Sequence, residues 1–209
     1  MVAAKSPPPT NPRRDALLRV AAEVFFEQGY AGTSIDAIIE RAGGSKRTIY
    51  SEFGNKQGLF SAIVNENADN VLASLAAGEV EGRDLRETLL VFGRQLMAFY
   101  MSPSLLGIYR AVVTEANRFP DLVRSFYERG PARAAARLAE VLEAARQRGE
   151  IRTDDCRRAA GHFLGMIRDN LHLQVVLGLR PPPSKRETRA AVASAVEIFL
   201  DGVRTGAKT

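Results

Sequence analysis

The chain has few cysteine, histidine and tryptophan residues and no long apolar segment, and each of these features marks a common protein class. Its 209 residues include one cysteine, two histidines and no tryptophan. A single cysteine, Cys156, cannot form an internal disulfide, and this usage is typical of a reducing cytoplasm. Uninterrupted apolar runs reach only a handful of residues, whereas a membrane-spanning helix needs about 20. The first residues also lack an apolar stretch of signal-peptide type, so we expect a cytoplasmic protein without a membrane segment.

The residues that are present describe an ordinary globular chain. Hydrophobic residues make up 45% of the sequence, and 29 Lys and Arg face 24 Asp and Glu, a formal net charge of +5. This balance argues against a disordered or fibrous chain. Bulk charge of this size does not locate a nucleic-acid face, so the local placement of basic residues has to do so.

Apolar residues recur at three- and four-residue steps along almost the whole chain, and no stretch alternates as a strand does. We therefore predict an all-α fold without internal repeats. The composition divides the chain into three parts. These are a proline-containing disordered tail at 1–10, a unit of short helices at 11–60, and a domain of longer helices at 61–205.

The short helices near the amino terminus have the proportions of a helix-turn-helix unit. Thr33 and Ser34 are predicted to cap the second helix, Gly43-Gly44 forms a tight turn, and Ser45 is predicted to cap the third helix. A short turn sets two helices at a steep angle, so that the second of them enters the major groove with its first residues against the bases.

The third helix, SKRTIYSEF, carries the side chains that this geometry requires. Arg and Lys suit the guanine acceptors and Thr can meet a thymine methyl, while Ile49 and Phe53 face inward. The alternative is a solvated basic turn on an ordinary helical bundle. The residues that we predict to contact bases or phosphates are Thr33, Ser34, Ser45, Lys46, Arg47, Thr48, Tyr50, Ser51 and Lys56.

The stretch RDALLRVAAEVFFEQGYAGTSIDAIIERAGGSKRTIYSEFGNKQGLFSAIV resembles the DNA-binding domain of the TetR family of transcriptional regulators. Its marks are a phenylalanine followed by a glycine-aromatic pair, Thr33-Ser34, the triplet TIY, and Asn55-Lys56. Ser51 departs from the pattern, since many members carry histidine there. The resemblance implies a helix-turn-helix DNA-binding domain at 11–60 and a homodimer that binds a pseudo-palindromic operator of double-stranded DNA.

The segments RFPDLVRSFYERGPARAAARLAEVLEAARQRGEI and HFLGMIRDNL resemble the AefR-like subgroup of regulatory domains. This resemblance implies that 61–205 forms an all-helical domain that receives a small-molecule effector and forms dimers. The last two helices of each chain would pack as a four-helix bundle. It further implies a repressor, released from DNA when a largely apolar effector moves the fourth helix, at 55–77.

An apolar effector needs an apolar lining with a few polar groups. Most aromatic and methionine side chains in such a domain belong to the core, which is the alternative for each residue of the set. The residues predicted to line the effector site are Phe92, Leu96, Tyr100, Tyr109, Arg110, Phe126, Tyr127, Met166 and Asn170.

His162, Asp169 and His172 fall near one face of a single helix. Such a cluster is compatible with a metal or catalytic site, although a zinc site usually needs further nitrogen or sulfur ligands. Polar residues at a pocket or a subunit contact are the favoured interpretation. We therefore predict no metal and no cofactor.

Small and aromatic residues in the last two helices are candidates for the seam of the dimer. Gly161 and Gly165, four residues apart, permit close approach of another helix. The other candidates are Phe163, Ile167, Ala191, Ala195, Phe199 and Leu200. Packing of the same residues inside one chain is the equally weighted alternative.

Functions of other classes remain open at this point. An enzyme could use the two histidines, but the sequence has no glycine-rich phosphate loop, nucleophile elbow or paired-cysteine site, so we predict a protein that is not an enzyme. A helical adaptor would bind only protein and would tolerate Arg47→Ala. An activator would use the same DNA-binding head as a repressor.

Overall fold

The computed structural model describes residues 12–73 and 83–203, and within these ranges the fold is all-α, as predicted. The disordered tail predicted at 1–10 lies outside the described residues. In chain order the helices are α1 Pro12–Gly32, α2 Ile35–Ala42, α3 Lys46–Phe53, α4 Lys56–Leu72, α5 Leu85–Tyr100, α6 Pro103–Thr114, α7 Pro120–Arg129, α8 Pro131–Gln147, α9 Cys156–Val176 and α10 Lys185–Val203.

Most of the short helices begin after a capping residue, whose polar side chain accepts a hydrogen bond from a backbone N–H group of the first turn. The Ser45 hydroxyl accepts from the N–H of Thr48 at 3.2 Å, as predicted, and the Asn55 side chain accepts from the N–H of Gly58 at 2.8 Å. The prediction that Thr33 is a cap is wrong. The residue at the cap position of α2 is Ser34, whose hydroxyl accepts from the N–H of Ala37 at 3.1 Å.

One helix boundary differs from the sequence pattern and another follows it. The apolar pattern that begins at Leu105 continues to Phe119, but helix α6 ends at Thr114, and residues 115–119 form the turn that leads into α7. Gly130-Pro131 divides the following helical pattern into α7 and α8, as the proline predicted.

The described residues bury two hydrophobic clusters. One contains α9 and α10 packed on α5 and α8, with Phe92, Phe163 and Val192 in its centre. The other joins α1 to α4 with residues of α6 and α7, including Ile108 and Leu122. Because this second cluster continues beyond residue 60, the helix-turn-helix unit and the following helices share one core.

The contact between α1 and α6 is close because of a glycine. A Cβ placed on Gly107 of α6 would lie 2.1 Å from Cδ2 of Phe26 in α1. The two backbones can approach this far only without a side chain at 107.

None of the helices in the described ranges is by itself long and apolar enough to cross a membrane. Helices α5 and α6 meet that test only as a pair, and they are bent by 67° at their junction.

Candidate DNA-binding face and helical pocket

Helix α3 presents one buried and one exposed face. Ile49 is buried and Phe53 half-buried against α1 and α4, which holds the helix in place. Tyr50 keeps 49% of its surface exposed although it is a large aromatic residue. The exposed side of the helix, together with its cap, consists of Ser45, Lys46, Arg47, Thr48, Tyr50 and Ser51.

The first turn of α3 is organised by short-range contacts. The Lys46 ammonium lies 2.9 Å from the carboxylate of Asp36 in the first turn of α2, and this ion pair joins the two helix starts. Ser51 donates its hydroxyl proton to the carbonyl oxygen of Thr48 at 3.0 Å. Among the described residues, none forms a hydrogen bond or ion pair with the Arg47 side chain, so its guanidinium is available to a ligand.

Thr33 lies in the turn between α1 and α2, and Lys56, the first residue of α4, extends its side chain to this turn rather than to the exposed side. The Thr33 side chain is 2% exposed, and its hydroxyl donates to the carbonyl oxygen of Gly29 at 2.7 Å. The Lys56 ammonium donates to the carbonyl oxygens of Tyr30 and Thr33 at 2.8 and 2.9 Å and lies 4.5 Å from the centre of the Tyr30 ring. Burial lowers the pKa of Lys56. In this conformation both residues hold the turn.

Arg14 also positions α3, a role that we did not predict. Its guanidinium contacts Glu52 of α3 at 2.9 Å and Glu66 of α4 at 3.1 Å, and it lies 5.8 Å from the ring of Phe53. Arg14 thereby links α1 to both other helices. The sequence held no signal for this, because the partners are 38 and 52 positions away.

A pocket lies between α4, α5, α6, α7 and α8, where the two cores meet. Its cavity has a volume of about 40 Å³. Ligand sites usually measure about 300–1,000 Å³, so a bound effector would have to displace lining side chains. The lining consists of Val64, Asn67, Ala68, Val71, Leu72, Leu96, Phe99, Tyr100, Leu105, Ile108, Phe126, Gly130, Pro131 and Ala134.

Three of the predicted effector residues, Leu96, Tyr100 and Phe126, line this pocket. The other six lie elsewhere. Phe92 is fully buried against Phe163, and Met166 packs on the same core. Outside the lining lie also the exposed residues Tyr127 and Asn170 and the half-buried Tyr109. The guanidinium of Arg110 donates to the carbonyl oxygens of Val175 and Val176, both at 2.9 Å.

Helix α4 contributes the largest share of the lining, which the set predicted from sequence omitted. Val64, Ala68 and Val71 recur at steps of four and three, and this recurrence was a detectable signal for one common face. Asn67 lies on the same face. Sequence alone could not distinguish a face turned to a pocket from one turned to a filled core.

His162, Asp169 and His172 are not brought together as one site. His162 is exposed, whereas His172 is 5% exposed and its ring lies between those of Tyr100 and Tyr109, at 5.4 and 5.3 Å. Asp169 interrupts α9 with a φ of 31°. In the described part of the chain no group of three or more His, Cys, Asp or Glu side chains is placed to hold a metal ion.

Burial of His172 makes stability depend on pH. Desolvation, aided by the nearby Arg168, lowers the pKa of His172 from 6.5 to about 4. Between these values the unfolded chain binds a proton that the folded chain does not, so stability falls as the pH drops. We expect the parent to lose about 2 kcal/mol more between pH 7 and pH 5 than His172→Phe, which keeps a ring there.

Urea unfolding at the two pH values measures this difference. His162→Gln is the matched control, because His162 is exposed, and it should show the pH dependence of the parent. If the parent and His172→Phe lose the same free energy of unfolding between pH 7 and pH 5, the lowered pKa of His172 is contradicted.

The seam candidates divide into two groups. Phe163, Ile167, Ala195, Phe199 and Leu200 are buried inside the chain, and Ala191 packs partly buried against the same core. Gly161 and Gly165 are exposed on α9, and a Cβ on either would meet no atom within 4 Å. Exposed Leu173 and Ile198 lie farther along α9 and α10. Part of the predicted seam therefore serves the core of one chain.

Cys156 is buried at the start of α9. Burial and the neighbouring carboxylate of Glu143 raise the pKa of its thiol. Since the thiolate is the reactive form, this environment disfavours a redox-sensing role.

The chain matches two descriptions of protein families. Residues 17–63 match "Bacterial regulatory proteins, tetR family", and residues 87–202 match "AefR-like transcriptional repressor, C-terminal domain". The second match alone covers more than half of the chain. The first match covers most of the helix-turn-helix unit and the second covers α6 to α9 and most of α5 and α10, while the pocket-lining part of α4 lies between the two matched ranges.

Known relatives agree with these matches. A TetR-family regulator from Mesorhizobium loti, solved as a crystal structure, is 30% identical over 93% of this chain and 98% of its own, with a TM-score of 0.78. The flavonoid-responsive regulator FrrA is 32% identical over 95% of this chain and 100% of its own, with a TM-score of 0.72. The transcriptional activator FasR of Mycolicibacterium smegmatis is 35% identical, but only over 39% of this chain and 37% of FasR.

Proposed function

Because the chain belongs to the TetR family of transcriptional regulators, we propose that it is a homodimeric repressor of a pseudo-palindromic operator, released by a small and largely apolar effector. The exposed first turn of α3, with an available guanidinium at Arg47, is the observation that carries this proposal. The members of this family regulate transcription and are not enzymes, so the interpretation of the chain as an enzyme is rejected.

In this proposal the operator is contacted from the starts of two helices. Arg47, Thr48 and Tyr50 face the bases, while the caps Ser34 and Ser45 bring free backbone N–H groups to phosphates. Lys46 exchanges its ion pair with Asp36 for a phosphate or base contact. For Thr33 and Lys56 the present hydrogen bonds support a positioning role, and phosphate contact by Lys56 requires its ammonium to leave the turn.

Replacement of Arg47 tests the base contact. Arg47→Ala should weaken operator binding about 5- to 150-fold, because one bidentate contact to guanine contributes about 1–3 kcal/mol of discrimination. Binding to scrambled DNA should change much less, so the ratio of the two affinities falls. Fluorescence anisotropy with labelled duplexes at two salt concentrations measures both affinities.

The exposed Arg94 of α5 provides the matched control, since Arg94→Ala removes the same charge far from α3. A variant Arg47→Ala that keeps full operator preference would refute the assigned role. Retained preference would also favour the adaptor, which has no need of this side chain.

The operator itself can be sought in the DNA immediately upstream of the chain's own coding region. Preference for this DNA over a scrambled duplex at both salt concentrations would support sequence-specific regulation. If a folded protein binds neither duplex, the adaptor becomes the better interpretation. The same DNA can be placed upstream of a reporter gene. A repressor would lower expression of the reporter, whereas an activator, as FasR is, would raise it.

The outward face of α9 and α10 supports a homodimer. Gly161 and Gly165 leave room for a close helix, and Ile198 keeps 62% of its surface exposed. Apolar side chains exposed beside small residues are typical of a surface that another chain covers. Two chains joined here would present two α3 helices to half-sites about 34–36 Å apart, or a multiple of that distance.

The pocket supports release of the operator by an effector. Helix α4 lines it with Val64, Asn67 and Val71 and begins at Lys56, which holds the turn between α1 and α2. Because the cavity is small, a ligand that enters must push this helix or its neighbours. A shift of α4 would change the distance between the two helix-turn-helix units of the dimer and disfavour the DNA-bound state.

A second connection runs through aromatic rings. Phe126 lines the pocket on α7, and Phe119 at the start of the same helix meets the ring of Tyr30 edge-on at 5.4 Å. Tyr30 in turn contacts Lys56. Movement of α7 would therefore reach the turn before α2 as well.

The similarity to FrrA supports an aromatic effector in particular. FrrA is a regulator that responds to flavonoids and matches almost the whole of this chain. Flavonoids carry aromatic rings with hydroxyl and carbonyl groups, and such a molecule would suit a lining of apolar and aromatic side chains.

A further inference from the structure

Among the described residues, the lining of the pocket contains no Asp, Glu, Lys, Arg or His side chain. The one titratable group in this described lining is the phenol of Tyr100, whose pKa is raised by burial, so these side chains are uncharged at neutral pH. A charge transferred from water into such a site would have no partner and would lose its hydration.

Two arginines near the pocket, Arg110 and Arg133, are engaged elsewhere. Arg110 donates to the carbonyl oxygens that end α9, and Arg133 forms an ion pair with Asp69 at 2.6 Å. Neither side chain belongs to the lining. A third arginine, Arg168, acts electrostatically on the phenol of Tyr100 but lies outside the lining, so an anionic effector would have no counter-charge in contact with it inside the pocket.

Asn67 supplies a directed polar group. Its amide nitrogen donates to the carbonyl oxygen of Ile63 at 2.9 Å, which fixes the side chain on α4. Among the described residues none donates to the amide oxygen of Asn67, so that oxygen can accept a hydrogen bond from a ligand hydroxyl.

Three rings, those of Phe99, Tyr100 and Phe126, lie in the same lining. Aromatic pairs in stacked or edge-on geometry are favourable beyond the area that they bury, which selects a flat ring over an aliphatic chain. A flat ring also requires less opening of a small cavity than a bulky saturated ring does.

From these observations we infer that the pocket takes an uncharged aromatic molecule with a hydroxyl group, its ring among Phe99, Tyr100 and Phe126 and its hydroxyl donating to Asn67. This inference rests on the proposed function, because it treats the pocket as the effector site. It excludes fatty acids and other carboxylates as effectors.

Four small probes of one skeleton test the charge, the hydroxyl and the ring. They are methyl 4-hydroxybenzoate, its free acid 4-hydroxybenzoate, methyl benzoate, and the saturated methyl 4-hydroxycyclohexanecarboxylate. Titration calorimetry with the full chain at pH 7 and without DNA should give sub-millimolar to millimolar affinity for the hydroxylated ester, as expected for a ligand of this size. Each of the other three should bind at least about 10-fold more weakly, the carboxylate because it is charged.

Asn67→Ala should bring the hydroxylated ester to the affinity of methyl benzoate. Asn70→Ala is the matched control, because Asn70 is exposed on the same helix and lies outside the lining. Stronger binding of the carboxylate or of the saturated ester would overturn the inference. So would the absence of saturable binding of the hydroxylated ester, or an Asn67→Ala variant that binds it normally.

A second measurement separates this inference from the proposed function. The hydroxylated ester is added to the protein–operator complex at a concentration that saturates the pocket. If it binds as expected but the complex persists, release by an effector is wrong and the ligand class stands. If the complex is released by the carboxylate instead, the regulatory function stands and the ligand class is wrong.

Discussion

Phe60→Ala is expected to lower the free energy of unfolding by about 3–5 kcal/mol and to abolish operator binding with it. The Phe60 ring is fully buried in α4 and meets the rings of Phe25 and Tyr30 edge-on at 5.6 and 5.5 Å. Its removal leaves a cavity at the centre of the head. Since a domain of this size is stable by only about 5–15 kcal/mol, the loss is a large fraction of its stability and falls on the cluster that holds the helix-turn-helix unit together.

Urea unfolding followed by circular dichroism measures this loss. Tyr127→Ala is the matched control, because it removes an aromatic side chain that is 60% exposed, and it should change stability by no more than about 0.5 kcal/mol. A Phe60→Ala variant within 1 kcal/mol of the parent would mean that the head does not depend on this aromatic cluster.

Gly58→Ala is expected to displace α3 while leaving the rest of the chain folded. A Cβ on Gly58 would lie 1.8 Å from the carbonyl oxygen of Phe53, the last residue of α3, so the backbone itself has to move. Overpacking of this kind costs about 1–3 kcal/mol of stability. Operator binding should fall by about 100-fold or more, because a shift of α3 disturbs several base contacts, each contributing about 1–3 kcal/mol.

Anisotropy titration of the operator, with circular dichroism as a check of folding, tests this prediction. Gly202→Ala makes the same change in α10, where a Cβ would meet no atom within 4 Å, and it should bind the operator normally. Unchanged affinity of Gly58→Ala would show that the start of α4 does not fix the position of α3.

Sequence reasoning succeeded where short-range chemistry determines the structure. Ser45 and Asn55 are caps because their side chains reach N–H groups three residues ahead, and Ile49 is buried because it repeats the apolar face of a short helix. The same reasoning named both Thr33 and Ser34 as caps of α2, and only Ser34 is one. Thr33 and Ser34 have equivalent chemistry, and the break at Gly29 shifts the register at which α2 begins.

Contacts between distant parts of the chain were not predictable in this way. The Lys56 side chain can reach either a phosphate or the turn before α2, and the carbonyl oxygens that it contacts belong to residues 23 and 26 positions earlier. The pocket shows the same limit. Phe92 and Phe126 are equally apolar in sequence, yet one fills a core and the other lines a cavity.

The sequence by itself determined that the protein is all-α and that its amino-terminal part is a helix-turn-helix unit, and it predicts SKRTIYSEF as the helix that faces DNA. Periodicity, caps and glycine turns act over a few residues, and a motif of about fifty positions carries the family. Only the tertiary structure decided that Arg14 and Lys56 hold the head together and that α4 forms one wall of an uncharged pocket. Those properties depend on which surfaces meet when helices pack, and helical periodicity identifies an apolar face without identifying its partner.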